Sequence, residues 1–242
     1  MNFQTNKLLN EIQKELKRNI DIKYRDGAKR FFKEPVDPIG VRSKKLKEIM
    51  SKYWIGVKNL KKDEIFGICE QLMTGEFEEK TIGIKWTYKL TKKYDKSDFY
   101  TFENWLKKHV SNWAHCDDIC THNIGYLIAK YPELLTHLDK WVVSKNRWFK
   151  RASCVSQIYP LSRIDNKLFL NKIFKYSDIL INDKDDLVQK GYGWTLKVAS
   201  KKYQKQVFDY VMKNKKTMPR TALRYAIEKM PEIFKHQAMN KK

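Results

Sequence analysis

The stretch YPELLTHLDKWV, from Tyr131 to Val142, sets the fold class. Leu134, Leu135, Leu138, Trp141 and Val142 recur at intervals of three and four, so on a helix of 3.6 residues per turn they share one face. The same spacing runs outward in both directions. Leu8, Leu9, Ile12 and Leu16 form one stripe, Ile65, Ile68, Cys69 and Leu72 a second, and Phe99, Phe102, Trp105, Leu106 and Val110 a third. Beyond the central stretch come Leu168, Leu170, Ile173 and Phe174, then Val207, Tyr210 and Val211. Helix starts are marked by Ser43, by Ser97-Asp98 and by Pro219, residues that favour the first turn. No segment alternates as a half-buried strand does. With Pro at 6 and Gly at 9, the chain lacks the turn residues of a sandwich or barrel built from many short strands. The sequence predicts an all-α protein of a dozen or so short helices with short links.

A recurring pattern organises these helices. A charged residue followed by small residues and then a large one appears at Lys80-Thr-Ile-Gly-Ile-Lys-Trp86, Arg151-Ala-Ser-Cys-Val, Lys190-Gly-Tyr-Gly-Trp194 and Arg220-Thr-Ala-Leu-Arg224. Asp117 falls 37 residues after Lys80 and 34 before Arg151; Lys190 follows Arg151 by 39, and Arg220 follows Lys190 by 30. Near-regular spacing of this kind points to a HEAT- or armadillo-like solenoid, because one helix pair cannot bury its apolar face alone. The expectation is a single domain over 1–242, C-shaped, with one position per repeat lining a concave basic groove. An irregular helical bundle is the alternative architecture.

Composition narrows the function. Hydrophobic residues make up 42% and aromatics 13%, which excludes a mainly disordered chain. The apolar runs are too short to span a bilayer, and the N-terminal MNFQTNKLLNEIQKELK lacks the apolar block of a signal peptide. Fifty Lys+Arg against 28 Asp+Glu give a formal net charge of +22, which suggests a polyanionic partner, most simply nucleic acid. A membrane surface would call for one concentrated basic helix. Cys69, Cys116, Cys120 and Cys154, without a secretion signal, suggest a reduced cytoplasmic chain. His115, Cys116, Cys120 and His122 cluster in sequence but contain no CxxC or HxxxH pair, so no metal is expected.

Four residues stand out as candidates for chemistry. Trp113 and Asp117, in Ser111-Asn-Trp-Ala-His-Cys-Asp-Asp118, are i and i+4 and share a helix face. Arg151 follows Trp148, and Trp194 ends the Lys190 motif. An acid inside a basic groove repels phosphate, so it needs a positive charge to meet. A cationic N3- or N7-alkylated purine supplies one, since breaking its weak glycosidic bond leaves an oxocarbenium-like sugar. A carboxylate there stabilises that sugar and holds the attacking water; indole faces suit a cation, and a guanidinium grips phosphate in bidentate fashion. Taken singly, each residue has an ordinary reading: core aromatics for Trp113 and Trp194, a lysine-paired surface acid for Asp117, a packing residue for Arg151.

At these positions the sequence resembles the alkylpurine DNA glycosylases built from HEAT-like repeats, the AlkD type of DNA alkylation repair enzyme. The matching features, in order, are Gly40-Val41-Arg42 with Leu46, Trp113-x-x-x-Asp117, Tyr131-Pro132-Glu133-Leu134, Trp141-x-x-Ser144-x-Asn146-x-Trp148-x-x-Arg151-Ala152, and Gln189-Lys190-x-x-Gly193-Trp194. The resemblance runs from about residue 25 to 230, and its segment from 141 to 152 is the most specific. It implies removal of 3-methyladenine and 7-methylguanine from duplex DNA by hydrolysis, without metal or organic cofactor and with the lesion base left stacked. Asp117 is then the catalytic carboxylate, with Trp113 and Trp194 on the sugar and backbone of the lesion nucleotide. Arg151 matches a phosphate-contacting arginine, and Trp148, Lys190, Arg42 and Phe31 join the DNA-binding set. A monomer is expected, with no membrane partner.

The chain departs from the family pattern at three places. Phe31 stands where the family often has Tyr, Asp186 and Leu187 where some members carry two aromatics, and Arg42 near a position often neutral. A non-catalytic HEAT module for damaged or branched nucleic acid is the alternative function, and a protein-binding solenoid a third. Asp117 favours the enzyme, since pure binding has no use for an acid in the groove. If phosphate attraction carries binding, affinity for duplex DNA falls steeply with added salt and varies little with base sequence. Anisotropy titrations over a range of salt check this, and a salt-independent affinity refutes it.

Overall fold

In the computed structural model, which describes residues 3–240, the sequence stripes become helices in the order α1 (Phe3–Arg18), α2 (Ile22–Lys29), α3 (Ser43–Val57), α4 (Lys62–Met73), α5 (Phe77–Tyr88), α6 (Asp98–Lys108), α7 (Trp113–Asp118), α8 (Gly125–Lys130), α9 (Leu135–Trp141), α10 (Arg147–Val155), α11 (Ile158–Arg163), α12 (Lys167–Leu180), α13 (Asp186–Ser200), α14 (Gln204–Asn214), α15 (Arg220–Ile227) and α16 (Glu232–Met239). A π-helical turn, Ile119–Ile124, joins α7 to α8. The fold is all-α: among the described residues the β structure amounts to one isolated bridge, Ile20 to Val41. No described helix is long and apolar enough to cross a membrane.

Local chemistry fixes the helix starts. Asn146 precedes α10 in extended conformation, and its side chain accepts from the Trp148 N–H at 2.8 Å. Asp185 does the same for α13 through the Leu187 N–H, at 2.9 Å. Each supplies an acceptor to a helix-end amide that has none within the helix. Pro219 is the residue before α15 rather than its first member, since its extended ψ of 139° precedes the helical turn.

The chain forms two compact units, one up to His115 and one from Cys116. In the first, α3 packs on α1 and α5, and α4 packs on α5. Ile12, Leu16, Ile49, Ile65, Leu72, Ile82, Trp86, Phe102 and Trp105 fill its core. In the second, α13 packs on α10, α12, α14 and α15, around Leu138, Ala152, Val155, Ile173, Tyr192, Leu196, Val207 and Leu223.

The link between α2 and α3 is held by one buried carboxylate. Glu78, 3% exposed, accepts the N–H groups of Ile39 and Gly40 at 2.8 Å each and of Val41 at 3.0 Å. Gly40 has φ +101°, where an added Cβ would lie 2.6 Å from the Arg25 Cβ, so this turn needs glycine. Replacing Glu78 by Ala strands three buried donors, each worth about 1–3 kcal/mol when left unpaired. With partial relaxation the expected loss is about 3 kcal/mol, or roughly 10 °C in melting temperature for a chain of this size. Thermal unfolding followed by circular dichroism measures it; an unchanged transition shows that the turn holds without Glu78.

Candidate active site

Asp117 is the fifth residue of α7, one helical turn beyond Trp113, and Arg151 the fifth residue of α10. The second unit brings Asp117 and Arg151 together. The Arg151 Nε donates to one Asp117 oxygen at 2.7 Å and its Nη2 to the other at 2.8 Å, a two-point fork. The remaining nitrogen, Nη1, donates to the backbone carbonyl of Leu187 on α13. Arg151 is 5% exposed, whereas the Asp117 side chain keeps 15% of its surface open. The acid is therefore mostly buried, with a small part of its side chain still exposed and both oxygens held by the guanidinium. Gly191 on α13 makes room for this, since a Cβ there would lie 3.1 Å from the Arg151 Cγ.

Two forces of opposite sign act on the Asp117 carboxyl. Burial raises its pKa above the ordinary value, and Asp118 adds to the rise; the hydrogen bonds and charge of Arg151 pull it back. Burial lowers the affinity of Arg151 for its proton, but the Asp117 pair outweighs that, so its pKa is raised and it stays charged. The π-helical turn after Asp118 breaks the ordinary helical ladder beside the acid, a feature often seen at functional sites.

The aromatic candidates lie in different surroundings. Trp113, in the first unit, stacks on Phe32 with ring centres 5.2 Å apart and planes 22° from parallel, and its indole N–H donates to the Phe31 carbonyl at 3.2 Å. Phe31 itself is 77% exposed. Trp194 is half-buried on α13 and, among the described residues, its indole N–H has no hydrogen-bond partner. Trp148 is 7% exposed, and its carbonyl accepts from the Cys116 thiol at 3.7 Å. Its ring packs in the core. The Arg151 fork is engaged by the Asp117 carboxylate.

The remaining basic candidates are accessible. Lys190 pairs with Asp186 at 3.1 Å, one helical turn away, so the acid that looked unfavourable for phosphate is partly neutralised by its own helix. Arg42 is exposed, paired with Asp21 at 2.7 Å, and its guanidinium lies over the Tyr24 ring. Three participants escaped the sequence reading. Phe32 is separated from Trp113 by 81 positions, Gly191 matters only for the space it leaves, and Leu187 acts through a carbonyl that every residue has. Phe32 lies beside Phe31, Gly191 within the Lys190 motif and Leu187 among the departures from the family pattern, but none of those signals pointed to the contact it makes.

Among the described residues no group of three or more His, Cys, Asp or Glu is placed to hold a metal ion. His115 and its neighbours form a packed polar cluster: its Nε2 donates to the Phe77 carbonyl at 3.0 Å, and its Nδ1 accepts from the Asn112 amide at 3.0 Å. All four cysteines are buried and free, and burial pushes the Cys154 thiol up to about 12.

Residues 12–230 match the family model described as DNA alkylation repair enzyme. Among solved structures, the fold is similar to a predicted DNA alkylation repair enzyme from Enterococcus faecalis, with TM-score 0.76 at 14% identity, covering 88% of this chain and 98% of that one. It is also similar to smu.31 from Streptococcus mutans UA159, with TM-score 0.58 at 20% identity, covering 77% of this chain and 94% of that one. No curated protein matches the chain.

The opposed forces on Asp117 give a measurable order. Its titration midpoint is expected above the ordinary carboxylate value of about 3.9, and Arg151→Gln moves it higher, because the opposing charge is gone while burial remains. Carboxyl carbon resonances of isotopically labelled aspartate report both midpoints. A lower midpoint in the Arg151→Gln variant contradicts the assignment of causes.

Proposed function

The chain belongs to the family of DNA alkylation repair enzymes, and on that premise we propose that it hydrolyses the N-glycosidic bond of cationic N3- and N7-alkylated purines, such as 3-methyladenine and 7-methylguanine, in duplex DNA. The observation that carries this reading is the Asp117 carboxylate, held by both prongs of a buried arginine and still 15% exposed. A fixed anion in a protein of net charge +22 is of little use for binding phosphate. It suits a substrate that becomes positive.

In this mechanism the leaving base departs as a neutral purine, taking the bonding electrons with it, and the sugar is left oxocarbenium-like. Asp117 stabilises that charge and accepts a proton from the incoming water. Arg151 is a positioning residue: it fixes the rotamer of the acid and keeps it ionised. Trp113 and Trp194 contact the sugar and backbone of the lesion nucleotide, the latter with an indole N–H that has no partner among the described residues. Phe31, Arg42 and Lys190 meet the DNA strand. No metal or organic cofactor enters the scheme. The HEAT-like repeat reading, with one domain over 1–242, is supported by recurrence of position: Asp117, Arg151 and Lys190 are each the fifth residue of their helix. We further propose a monomer working in the cytoplasm, in keeping with four free, buried cysteines.

A carboxylate about 4 Å from a developing positive charge, at an effective dielectric near 20, supplies about 4 kcal/mol. Because the Arg151 charge offsets part of that, the expected effect of Asp117→Asn is on the order of a hundred- to a thousandfold in the rate of excision. The same change leaves a buried guanidinium without its counter-charge, so stability falls by about 3 kcal/mol as well. Single-turnover release of 7-methylguanine from methylated duplex, well below the melting temperature of both forms, separates the two effects. Excision by the folded Asn variant at the unsubstituted rate assigns Asp117 to structure. A folded, unsubstituted chain that binds duplex but releases no base favours the non-catalytic module.

A further inference from the structure

The charged position of the repeat pattern has two members that the proposed mechanism leaves unused, Lys80 and Arg220; Arg220 opens its helix, and Lys80 lies deeper. It is the fourth residue of α5, close to the fifth-residue register of Asp117, Arg151 and Lys190. Lys80 is half-buried, and its ammonium donates to the His109 carbonyl at 3.2 Å. No carboxylate pairs with it among the described residues. Four other half-buried lysines are answered by an acid, Lys62 by Asp98 at 3.0 Å, Lys150 by Asp183 at 2.6 Å, Lys172 by Asp139 at 2.7 Å and Lys197 by Glu228 at 2.8 Å, whereas Lys215, near the C-terminal end, donates to the Gln237 and Asn240 carbonyls. A partly desolvated ammonium whose described partner is a neutral carbonyl gains from an anion brought to it.

Its neighbourhood says which anion. Phe77, Lys80 and Thr81 share one face of α5 by their spacing of three and four. The Phe77 ring lies 4.4 Å from the His115 ring and 5.7 Å from that of Phe32, which stacks on Trp113. The Thr81 hydroxyl meets His115 at 3.2 Å. The carbonyl that Lys80 holds, His109, is four residues before Trp113. This face of α5 therefore supports the segment that presents Trp113, the residue assigned to the lesion nucleotide.

We propose that Lys80 binds a backbone phosphate of the DNA strand that Trp113 contacts. The inference rests on the functional reading above and adds a phosphate contact outside the motifs that carry the family resemblance. Burial lowers the pKa of Lys80 below that of an ordinary lysine, with no neighbouring charge to restore it; a phosphate supplies that charge. The bound strand gains a cation on the helix that supports the Trp113 segment.

The test uses Lys80→Gln in the full chain, since a glutamine amide still donates to the His109 carbonyl while the charge is lost. Anisotropy titrations of a labelled, undamaged duplex over a range of salt give the slope of log affinity against log salt. Loss of one phosphate contact makes the slope less steep by about 0.9, which corresponds to roughly eightfold weaker binding at 0.1 M salt. A second readout needs no substitution: after reductive methylation with labelled formaldehyde, the Lys80 resonance titrates, and added duplex raises its midpoint. An unchanged slope in a folded Lys80→Gln protein, or a midpoint that duplex does not move, overturns the proposal and leaves Lys80 as a cap on α6. If the unsubstituted chain shows no salt-dependent duplex binding, the functional reading falls with it. Normal binding with an unchanged slope removes Lys80 alone.

Discussion

The arrangement of the second unit turns on one buried ion pair. Arg151 reaches from α10 to Asp117 on α7 with two nitrogens and to the Leu187 carbonyl on α13 with the third. Three helices are thus referred to a single planar group whose donors have fixed directions. Burying such a pair yields little net stability, because the cost of desolvating two charges offsets most of their attraction, whereas breaking it strands a charge in the interior. Its effect is to make one arrangement of α7, α10 and α13 far better than its neighbours. Gly191 on α13 and the capping residues Asn146 and Asp185 serve the same end, setting the depth and start of the helices that carry the pair.

The acid next to this arginine has an unusual electrostatic position. Burial raises its pKa, the Arg151 pair pulls it back, and 15% of its side chain stays exposed. An exposed carboxylate would be screened by water and would contribute little to a charge forming nearby, whereas a wholly enclosed one could not be reached. The geometry lies between these limits, and Arg151 is what allows it. A neutral residue in place of Arg151 would leave burial to favour the protonated acid.

Outside this pair, the balance of the 50 basic residues is shaped by what they face. Many meet an acid of their own chain: Arg147 meets Asp185 at 2.6 Å, Lys150 meets Asp183, and Lys190 meets Asp186. These contacts divide the positive charge into a part that braces helices and a part left for a polyanion. Net charge alone does not make that division; it depends on which acids fold up beside which bases. The aromatics divide similarly, with Trp148, Trp86 and Trp105 in the core, Trp194 half-buried with no partner for its N–H among the described residues, and Phe31 standing in solvent.

Helical class and stripe positions were legible in the sequence because they depend on local spacing, which a helix converts directly into a face. The stripes at Ile65 to Leu72, Phe99 to Leu106 and Leu134 to Val142 each became a buried face. The family was legible too, since its markers are residue types in a fixed order along the chain. Pairing was not. Trp148 and Trp194 read alike as indoles near a motif, and only packing put the first in the core and left the second half-buried. Arg151 read as a hand for phosphate because a guanidinium fits phosphate and carboxylate equally well. Which anion it grips depends on the position of Asp117, 34 residues away in sequence and 2.7 Å away in space. The sequence by itself determined the helices and the chemical groups they carry; tertiary structure decided which of those groups neutralise each other, because electrostatic partners are chosen by distance through space.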